Sequence, residues 1–295
     1  MSALLAAPGI AGGAVADAAP WRRAWLRLRR RRGALLGLSV VLGFVVLAVF
    51  APWIAGQDPI ATSWSALRQA PSAAHWFGTD EIGRDVLARV VWGTRASLLA
   101  GVVSVSISLM LGVPIGLAAG VVGGIVDGII SRLTDAFLAC PFLILAIALA
   151  AFLGPSLSNA MIAIGISATP IFVRLTRAAV LDVKVEDYIE AARAVGNPPL
   201  RVAWRHILPN IAPPLIVQAT LAIAAAVIAE ASLSFLGLGQ QPPAPSWGSM
   251  LNSAKNYVDN APWMAIWPGL AIFALVLSFN LLGDGLRDAL DPRQR

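Results

Sequence analysis

The uncharged run AFLACPFLILAIALAAFLGPSLSNAMIAIGISATPIFV occupies residues 136–173. A helix needs about 20 apolar residues to cross the hydrocarbon core of a bilayer, so this run is long enough for two crossings. Within it, GPSLSN at residues 154–159 has the composition of a tight turn. The run therefore predicts two membrane spans joined by a short turn, at about 133–153 and 158–176.

Apolar runs of similar length recur along the chain of 295 residues. They predict four more spans, at 34–55, within 96–126, at 212–236 and at 263–283. Only 13% of the residues are charged, whereas a soluble domain carries about 25%. The predicted fold class is an all-α polytopic membrane protein with six transmembrane helices. Prolines inside three of these spans can kink their helices: Pro114, Pro141 and Pro170.

The distribution of basic residues predicts the orientation of the chain. Six spans place both termini on one side of the membrane. With the N-terminus in the cytoplasm, cytoplasmic segments hold 17 of the 22 lysines and arginines, and outer segments hold 5. Positive residues concentrate on the cytoplasmic side of membrane proteins. We therefore expect a multi-pass membrane protein with both termini in the cytoplasm.

The first 33 residues are predicted to be a cytoplasmic disordered tail followed by a basic interfacial segment. Seven arginines lie between Arg22 and Arg32. Trp21, Trp25 and Leu28 fall on one helical face, which is typical of a short helix at the headgroup level with arginines facing anionic lipid. A basic run can also bind nucleic acid. Its position directly before a span favours membrane lipid, so no nucleic acid partner is expected.

Several functional classes lack the residues that they need. A P-loop requires a glycine–lysine pair, but the two lysines, Lys184 and Lys255, follow valine and alanine. The protein is therefore not expected to be an enzyme, and any ATP and Mg²⁺ that drive it would be bound by another subunit. The one cysteine, Cys140, and the two histidines, His75 and His206, have no partner at metal-ligand spacing, so no metal site or catalytic residue is predicted.

One polar stretch interrupts the second half of the chain, YIEAARAVGNPPLRVAWRHILP at residues 188–209. Its residues predict a helix, a turn and a second helix. Asp187 can cap a first helix that runs through Val195, and Gly196 can end it with a positive φ angle. Asn197 and Pro198 suit the N-cap and first position of the second helix, and Pro209 is expected to stop that helix.

Periodicity predicts the apolar faces of these two helices. One face of the first helix carries Tyr188, Ala192 and Val195, and one face of the second carries Leu200, Ala203, Trp204 and Ile207. Two amphipathic helices of this kind can lie along the cytoplasmic membrane surface, which is also what a solvated interfacial loop would do.

The order of residues in this stretch resembles the EAA loop of ATP-binding cassette importer permeases. We use "EAA loop" for residues 182–210. In that family the loop forms a coupling helix that docks in a groove of the ATPase subunit. The resemblance rests on, and assigns coupling to, eight residues: Glu190, Ala191, Ala192, Arg193, Gly196, Ile207, Leu208 and Pro209. His206 departs from the general motif, which has isoleucine there.

Three further segments are similar to the C-type permease subunit of dipeptide, oligopeptide and glutathione importers. They are HWFGTDEIGRDVLARVVWGTRASL (75–98), ASLSFLGLGQQPPAPSWGSML (231–251) and LSFNLLGDGLRDALDPRQR (277–295). The resemblance implies a MetI-like permease core with an extra N-terminal helix. It also implies a heterodimer with a B-type permease, one or two ABC ATPase subunits, an extracytoplasmic substrate-binding protein and a small peptide substrate.

Together these observations predict the organisation of the chain. The basic tail is followed by a first transmembrane helix at 34–55, an extracytoplasmic segment at 56–95, a MetI-like permease domain at 96–285 and a cytoplasmic tail at 286–295. Long outer loops are often functional, so Trp247 and Asn252 are predicted contacts of the binding protein.

Glu230 leaves two interpretations open. An ionisable residue inside a span suggests a translocation path, whereas a position at the end of the fifth span suggests an interfacial residue. The alternative function is a stand-alone secondary transporter of small solutes, which would need inward-facing acids or an inverted repeat, and no repeat is evident. The sequence does not identify which peptide is carried.

Overall fold

The computed structural model describes residues 25–290, and every regular element in that part of the chain is helical. The helices are α1 (Arg32–Val49), α2 (Ala51–Ile54), α3 (Val86–Val122), α4 (Gly124–Ala139), α5 (Phe142–Leu153), α6 (Leu157–Val183), α7 (Asp187–Ala194), α8 (Pro199–Val202), α9 (Leu208–Phe235), α10 (Trp247–Ala254) and α11 (Trp263–Leu290). A π-helical turn, Ala203–Ile207, joins α8 to α9.

Five helices are long and apolar enough to cross a membrane, and a bent pair brings the number to six if it counts as one span. The protein is therefore a multi-pass membrane protein. The EAA loop lies at one end of the bundle, which we call the EAA side, and the opposite end is the far side.

The first and last long helices place both ends of the described chain on the EAA side. Arg31, just before α1, forms an ion pair of 3.4 Å with Asp288 near the end of α11. Further along the pair, a Cβ atom on Gly37 would lie only 2.6 Å from the carbonyl oxygen of Ser278. Such close backbone approach requires a residue without a side chain. This antiparallel pair agrees with an even number of crossings.

Helix α3 begins earlier than the apolar pattern predicted. The run without charges starts at residue 96, but the helix starts at Val86 because Asp85 caps it, with the Ala88 N–H donating to Asp85 Oδ1 at 2.8 Å. At 1.5 Å per residue, its 37 residues extend well beyond the hydrocarbon core. The segment predicted as extracytoplasmic, 56–95, therefore ends in nearly three turns of helix.

The predicted third span is broken in the structure. Helices α4 and α5 meet at an angle of 90°, at Cys140 and Pro141. Proline disfavours helical backbone in the preceding residue, and Cys140 is extended, with φ −85° and ψ 130°. The kink predicted at Pro141 is confirmed, whereas α3 and α6 continue without interruption through Pro114 and Pro170.

Helix α4 includes residues 127–132, which lie between the second and third predicted spans. Two acidic residues of this helix pair with arginines of α6. Arg177 pairs with Asp127, and Arg174 pairs with Asp135. The turn predicted at residues 154–159 is confirmed: Ser156 caps α6 by accepting the N–H of Asn159 at 3.1 Å.

Glycines hold α3 and α6 together. A Cβ atom on Gly112, Gly116 or Gly120 would lie 2.6 Å from the nearest atom of α6 or its side chains. These three residues recur every four positions, so they form one stripe along α3. The missing side chains along this stripe let the backbones of α3 and α6 approach closely.

The segments between α2 and α3 and between α9 and α11 pack together as a far-side cap, which we define as residues 55–85 and 236–262. The indole N–H of Trp263 donates to the carbonyl oxygen of Thr79 at 3.1 Å. Phe77 stacks on Trp267 with ring centroids 3.8 Å apart. These contacts fix the cap to the first turns of α11.

Parts of the predicted termini lie outside the described residues. These are the tail at 1–24, with Trp21 and the first two arginines, and residues 291–295. Within the described part, residues 286–290 are the last turn of α11 rather than a tail. Leu28 packs against Ala34, Leu286 and Ala289, so its side chain contacts protein rather than lipid.

Candidate functional site

The EAA loop forms an elbow between α6 and α9. Helix α7 begins at Asp187 and ends at Ala194, and Glu186 rather than Asp187 is its N-cap. Acidic Asp187 and Glu190 lie in its first turn and Arg193 in its last, which is favourable for the helix dipole. Helix α8 then starts at Pro199 and leads through the π-helical turn into α9.

Gly196 makes the turn between α7 and α8. Its φ angle is +84°, as predicted, and its N–H donates to the carbonyl oxygen of Arg193 at 2.9 Å. The predicted N-cap at Asn197 is wrong, because Pro198 occupies that position. The Asn197 side chain instead donates to the carbonyl oxygen of Ala192 at 2.9 Å and closes the end of α7.

The prediction that Pro209 stops the second helix is also wrong. Pro209 lies in the first turn of α9, where a missing N–H costs little, and the helix continues to Phe235. The wider π-helical turn before it, Ala203–Ile207, lets the chain change hydrogen-bonding pattern ahead of the proline. The EAA loop and the fifth span are thus one continuous helical element from Pro199.

Buried apolar side chains anchor the elbow to the bundle. Ile189, Val202 and Ile207 have at most 1% exposed surface and belong to the main core, together with Phe172 and Val180 of α6. The predicted apolar faces are divided between the core and the surface. Ala192, Ala203 and Ile207 are buried, whereas the side chains of Tyr188, Val195, Leu200 and Trp204 are exposed.

Five large apolar side chains of the elbow are exposed, and together we call them the elbow surface. They are Val185, Tyr188, Val195, Leu200 and Trp204, with exposures between 44% and 79%. Partial burial, with nearby Glu186, raises the pKa of Tyr188 above its ordinary value. An apolar patch on a rigid support is typical of an interaction surface.

The eight residues assigned to coupling divide into two groups. Glu190, Ala191, Arg193, Gly196 and Pro209 are exposed, whereas Ala192 and Ile207 are buried and Leu208 is half-buried. The exposed group can contact another protein. The buried group can transmit the position of the elbow to the core because it packs inside the bundle. Sequence reasoning did not identify Ile189 and Val202 as anchors. The available signal was the recurrence of apolar residues at spacings of three and four, which marks the buried face of a helix.

Glu230 lies near the far-side end of α9 and has no exposed surface. Its carboxylate accepts hydrogen bonds from Ser234 Oγ at 2.7 Å and from Ser97 Oγ of α3 at 3.2 Å. Buried carboxylates need such partners. In this conformation a solute cannot reach the side chain of Glu230. The hydrogen bond from Ser97 instead joins α9 to α3.

The two residues predicted to contact a binding protein differ in accessibility. Trp247 has no exposed surface; its ring lies against Gly93 and its indole N–H donates to the carbonyl oxygen of Val90 at 3.0 Å. The prediction of a docking contact is therefore wrong for Trp247, because its side chain fixes α10 to α3. Asn252, on the same helix, is partly exposed and remains a prediction.

A buried ionic cluster in the far-side cap was not predicted. Arg84 pairs with Asp80 and Glu81, and Arg89 lies 3.5 Å from Asp80. The guanidinium of Arg89 also donates to the carbonyl oxygen of Pro59 at 3.0 Å. The charged residues of the segment 75–98 were the available signal for such a cluster. Only the fold shows that their side chains pair with one another. Among residues 25–290, no group of three or more His, Cys, Asp or Glu side chains could hold a metal ion.

Comparisons with known proteins agree with this architecture. Residues 112–295 match the family described as "binding-protein-dependent transport system inner membrane component". Residues 19–71 match the family described as "N-terminal TM domain of oligopeptide transport permease C"; this match covers α1, which is the extra N-terminal span.

The chain is also similar to curated transport proteins over most of its length. It is 46% identical to the dipeptide transport system permease protein DppC of Alkalihalophilus pseudofirmus, over 94% of this chain and 91% of the relative. It is 47% identical to the glutathione transport system permease protein GsiD of Shigella flexneri, over 93% of this chain and 91% of the relative.

Among solved structures, the chain resembles inward-facing conformations of the MetNI methionine ABC transporter. One such structure has a TM-score of 0.56 at 24% identity, covering 68% of this chain and 96% of the other. This similarity concerns the fold alone. It confirms the predicted all-α, MetI-like fold class, and the family match at residues 19–71 accounts for the additional N-terminal helix.

Proposed function

This chain belongs to the family of binding-protein-dependent transport system inner membrane components, and we propose that it is the transmembrane permease subunit of an importer for small peptides. In this proposal a separate ATP-binding cassette ATPase supplies the work. The permease contributes the path through the membrane and the mechanical link to that ATPase.

The elbow surface is the observation that carries the proposal. Its exposed side chains lie on a support whose opposite face, formed by Ile189, Val202 and Ile207, is locked in the core. A force applied to the elbow surface would therefore move α6 and α9 rather than bend a loose loop. A partner with an apolar groove would bury the exposed patch on docking.

The remaining parts of the assembly follow from the same proposal. ATP and Mg²⁺ would be held by one or two ATPase subunits on the EAA side. A homologous B-type permease would form the second half of the membrane channel, and an extracytoplasmic binding protein would deliver the substrate at the far side. The EAA side would then be cytoplasmic, in the inner membrane of a bacterium, as the excess of basic residues there supports.

Relatives named for dipeptide, di/tripeptide and glutathione transport support a small peptide as substrate. These ligands share an extended backbone with charged termini. The stand-alone secondary transporter is not favoured, because the relatives are named as components of transport systems.

Photocrosslinking from the elbow surface tests the proposal directly. A photoreactive amino acid replaces Val195, which is 79% exposed, in membranes of the native host. We expect a crosslink to one protein that is also labelled by an azido analogue of ATP. Uptake of labelled dipeptide and glutathione by the same cells, compared with a deletion strain, measures the transport activity.

A matched control places the same photoreactive residue at Ala244, which is exposed in the far-side cap. That position should give no crosslink to an ATP-labelled protein. If Val195 crosslinks only to lipid, or if peptide uptake is unchanged in the deletion strain, the proposed function is wrong.

A further inference from the structure

Outside the EAA loop, the EAA side carries a second feature, a cleft between the segment before α1 and the end of α11. Arg27, Arg30, Arg31, Asp288 and Ala289 line it. Three of the described lining residues are arginines and one is an aspartate, and Arg31 pairs with Asp288. We call this the basic cleft.

The floor of the basic cleft is fixed by packing. Residues 25–28 form a helical turn, and Leu28, which is 5% exposed, is buried against Ala34 and Ala289. A Cβ atom on Gly285 would collide with Ala34, so the two helices touch at this level. The backbone that carries the three arginines is therefore fixed against the end of α11.

The surroundings place the basic cleft at the membrane surface. Trp25 and Leu26, beside it, are 49% and 43% exposed, and apolar α1 follows directly. Tryptophan is enriched where the hydrocarbon meets the headgroups. Arg29 and Arg32, both exposed, add positive charge at the same level. A ligand here would meet cationic side chains together with apolar surface.

We propose that the basic cleft binds the headgroup phosphate of an anionic phospholipid of the adjacent leaflet. Guanidinium groups pair with phosphate through two parallel hydrogen bonds, and basic pockets between membrane helices hold anionic headgroups. The acyl chains would extend along the exposed side chains of α1, such as Leu36. Asp288 holds Arg31 in place through their ion pair. The inference does not depend on coupling to an ATPase.

Photoaffinity labelling of the full-length chain in nanodiscs tests this site. The probe is phosphatidylglycerol with a photoreactive group near its headgroup, and peptide mapping locates the label. We expect labelling in residues 25–36 and 284–290, and no such labelling by the matching phosphatidylcholine probe. Each arginine near an anionic surface contributes roughly fivefold to binding, so Arg30→Gln with Arg31→Gln should lower labelling by about twentyfold or more.

Two control variants separate charge from folding. Arg30→Lys with Arg31→Lys keeps the charge and should retain most of the labelling. Arg132→Gln removes an exposed arginine of α4, away from the cleft, and should leave labelling unchanged. If the double Gln variant does not fold, the wild-type chain still provides a test, because headgroup labelling at this site must fall as salt is raised.

Three outcomes would overturn the proposal. Equal labelling by phosphatidylglycerol and phosphatidylcholine would show that charge is not recognised. Loss of lipid labelling in millimolar inorganic phosphate would identify a site for free phosphate. Displacement of the lipid probe by a short RNA at physiological salt would identify a nucleic acid surface instead.

Discussion

Replacing Gly196 tests whether the bend of the EAA loop transmits force. Its φ angle is +84°, and no atom lies within 4 Å of an added Cβ, so a side chain there changes backbone strain without a steric collision. Placing an L-residue in this left-handed backbone conformation costs about 1–2 kcal/mol, and placing a β-branched residue there costs more. We therefore expect a graded series, with Asn close to the wild type, Ala at about 1 kcal/mol and Val at about 2–3 kcal/mol.

A strain of about 2 kcal/mol shifts the balance between the native turn and an alternative turn by about thirtyfold. The assay is the amount of ATP hydrolysed per peptide taken up by proteoliposomes that contain the whole transporter. Gly196→Val should raise this ratio by about threefold or more, whereas Gly196→Asn should change it by less than about twofold. Peptide capture by the binding protein should be unaffected because the change lies on the EAA side.

Gly237 provides a matched control in the same chain. Its φ angle is +82°, an added Cβ meets nothing within 4 Å, and its N–H donates to Ser234 as that of Gly196 does to Arg193. Gly237→Val therefore introduces similar strain on the far side. If both variants uncouple equally, or if Gly196→Val hydrolyses and transports normally, the mechanical reasoning about the elbow is refuted.

Three further predictions concern packing, each measured by thermal unfolding in detergent. Gly116→Leu should destabilise the chain by about 1–3 kcal/mol because its Cβ would lie 2.6 Å from α6, whereas Gly128→Leu, in open space, should change little. Trp247→Phe should lower the free energy of unfolding by about 1 kcal/mol because the hydrogen bond to Val90 is lost. Trp247→Ala should lower it by about 3–5 kcal/mol because the packing of the ring is lost as well. Equal effects of the two substitutions would show that the hydrogen bond matters more than the ring. Glu230→Ala should lower the free energy of unfolding by about 1–3 kcal/mol because two serine hydroxyls lose their acceptor, and Glu230→Gln should lower it less. A loss of peptide transport by Glu230→Gln at unchanged stability would instead support a role in the translocation path.

The local chemistry of the sequence was sufficient for much of the fold. Uncharged runs gave the spans because the cost of placing charge in hydrocarbon is a property of each segment by itself. Gly196 was predicted correctly because a positive φ angle is a requirement of one residue. The turn at residues 154–159 followed for the same reason.

Errors arose where a neighbouring element decides the outcome. Pro209 predicted a helix end, but the π-helical turn before it moves the proline into the first turn of α9. The third span was predicted to begin at about residue 133, but α4 begins at Gly124, and its Asp127 and Asp135 pair with arginines of α6. No pattern within either segment contains this information.

The sequence by itself determined that this is a helical membrane protein with a punctuated EAA loop, since hydropathy, glycine and proline act through short-range chemistry. Tertiary structure decided which faces are buried. Trp247 became an internal anchor, and Val195 with Leu200 became exposed, because the packing of α6, α9 and α10 selects one face of each helix. Tertiary structure also decided the 90° angle between α4 and α5, because Pro141 permits a bend but the packing of neighbouring helices sets its angle.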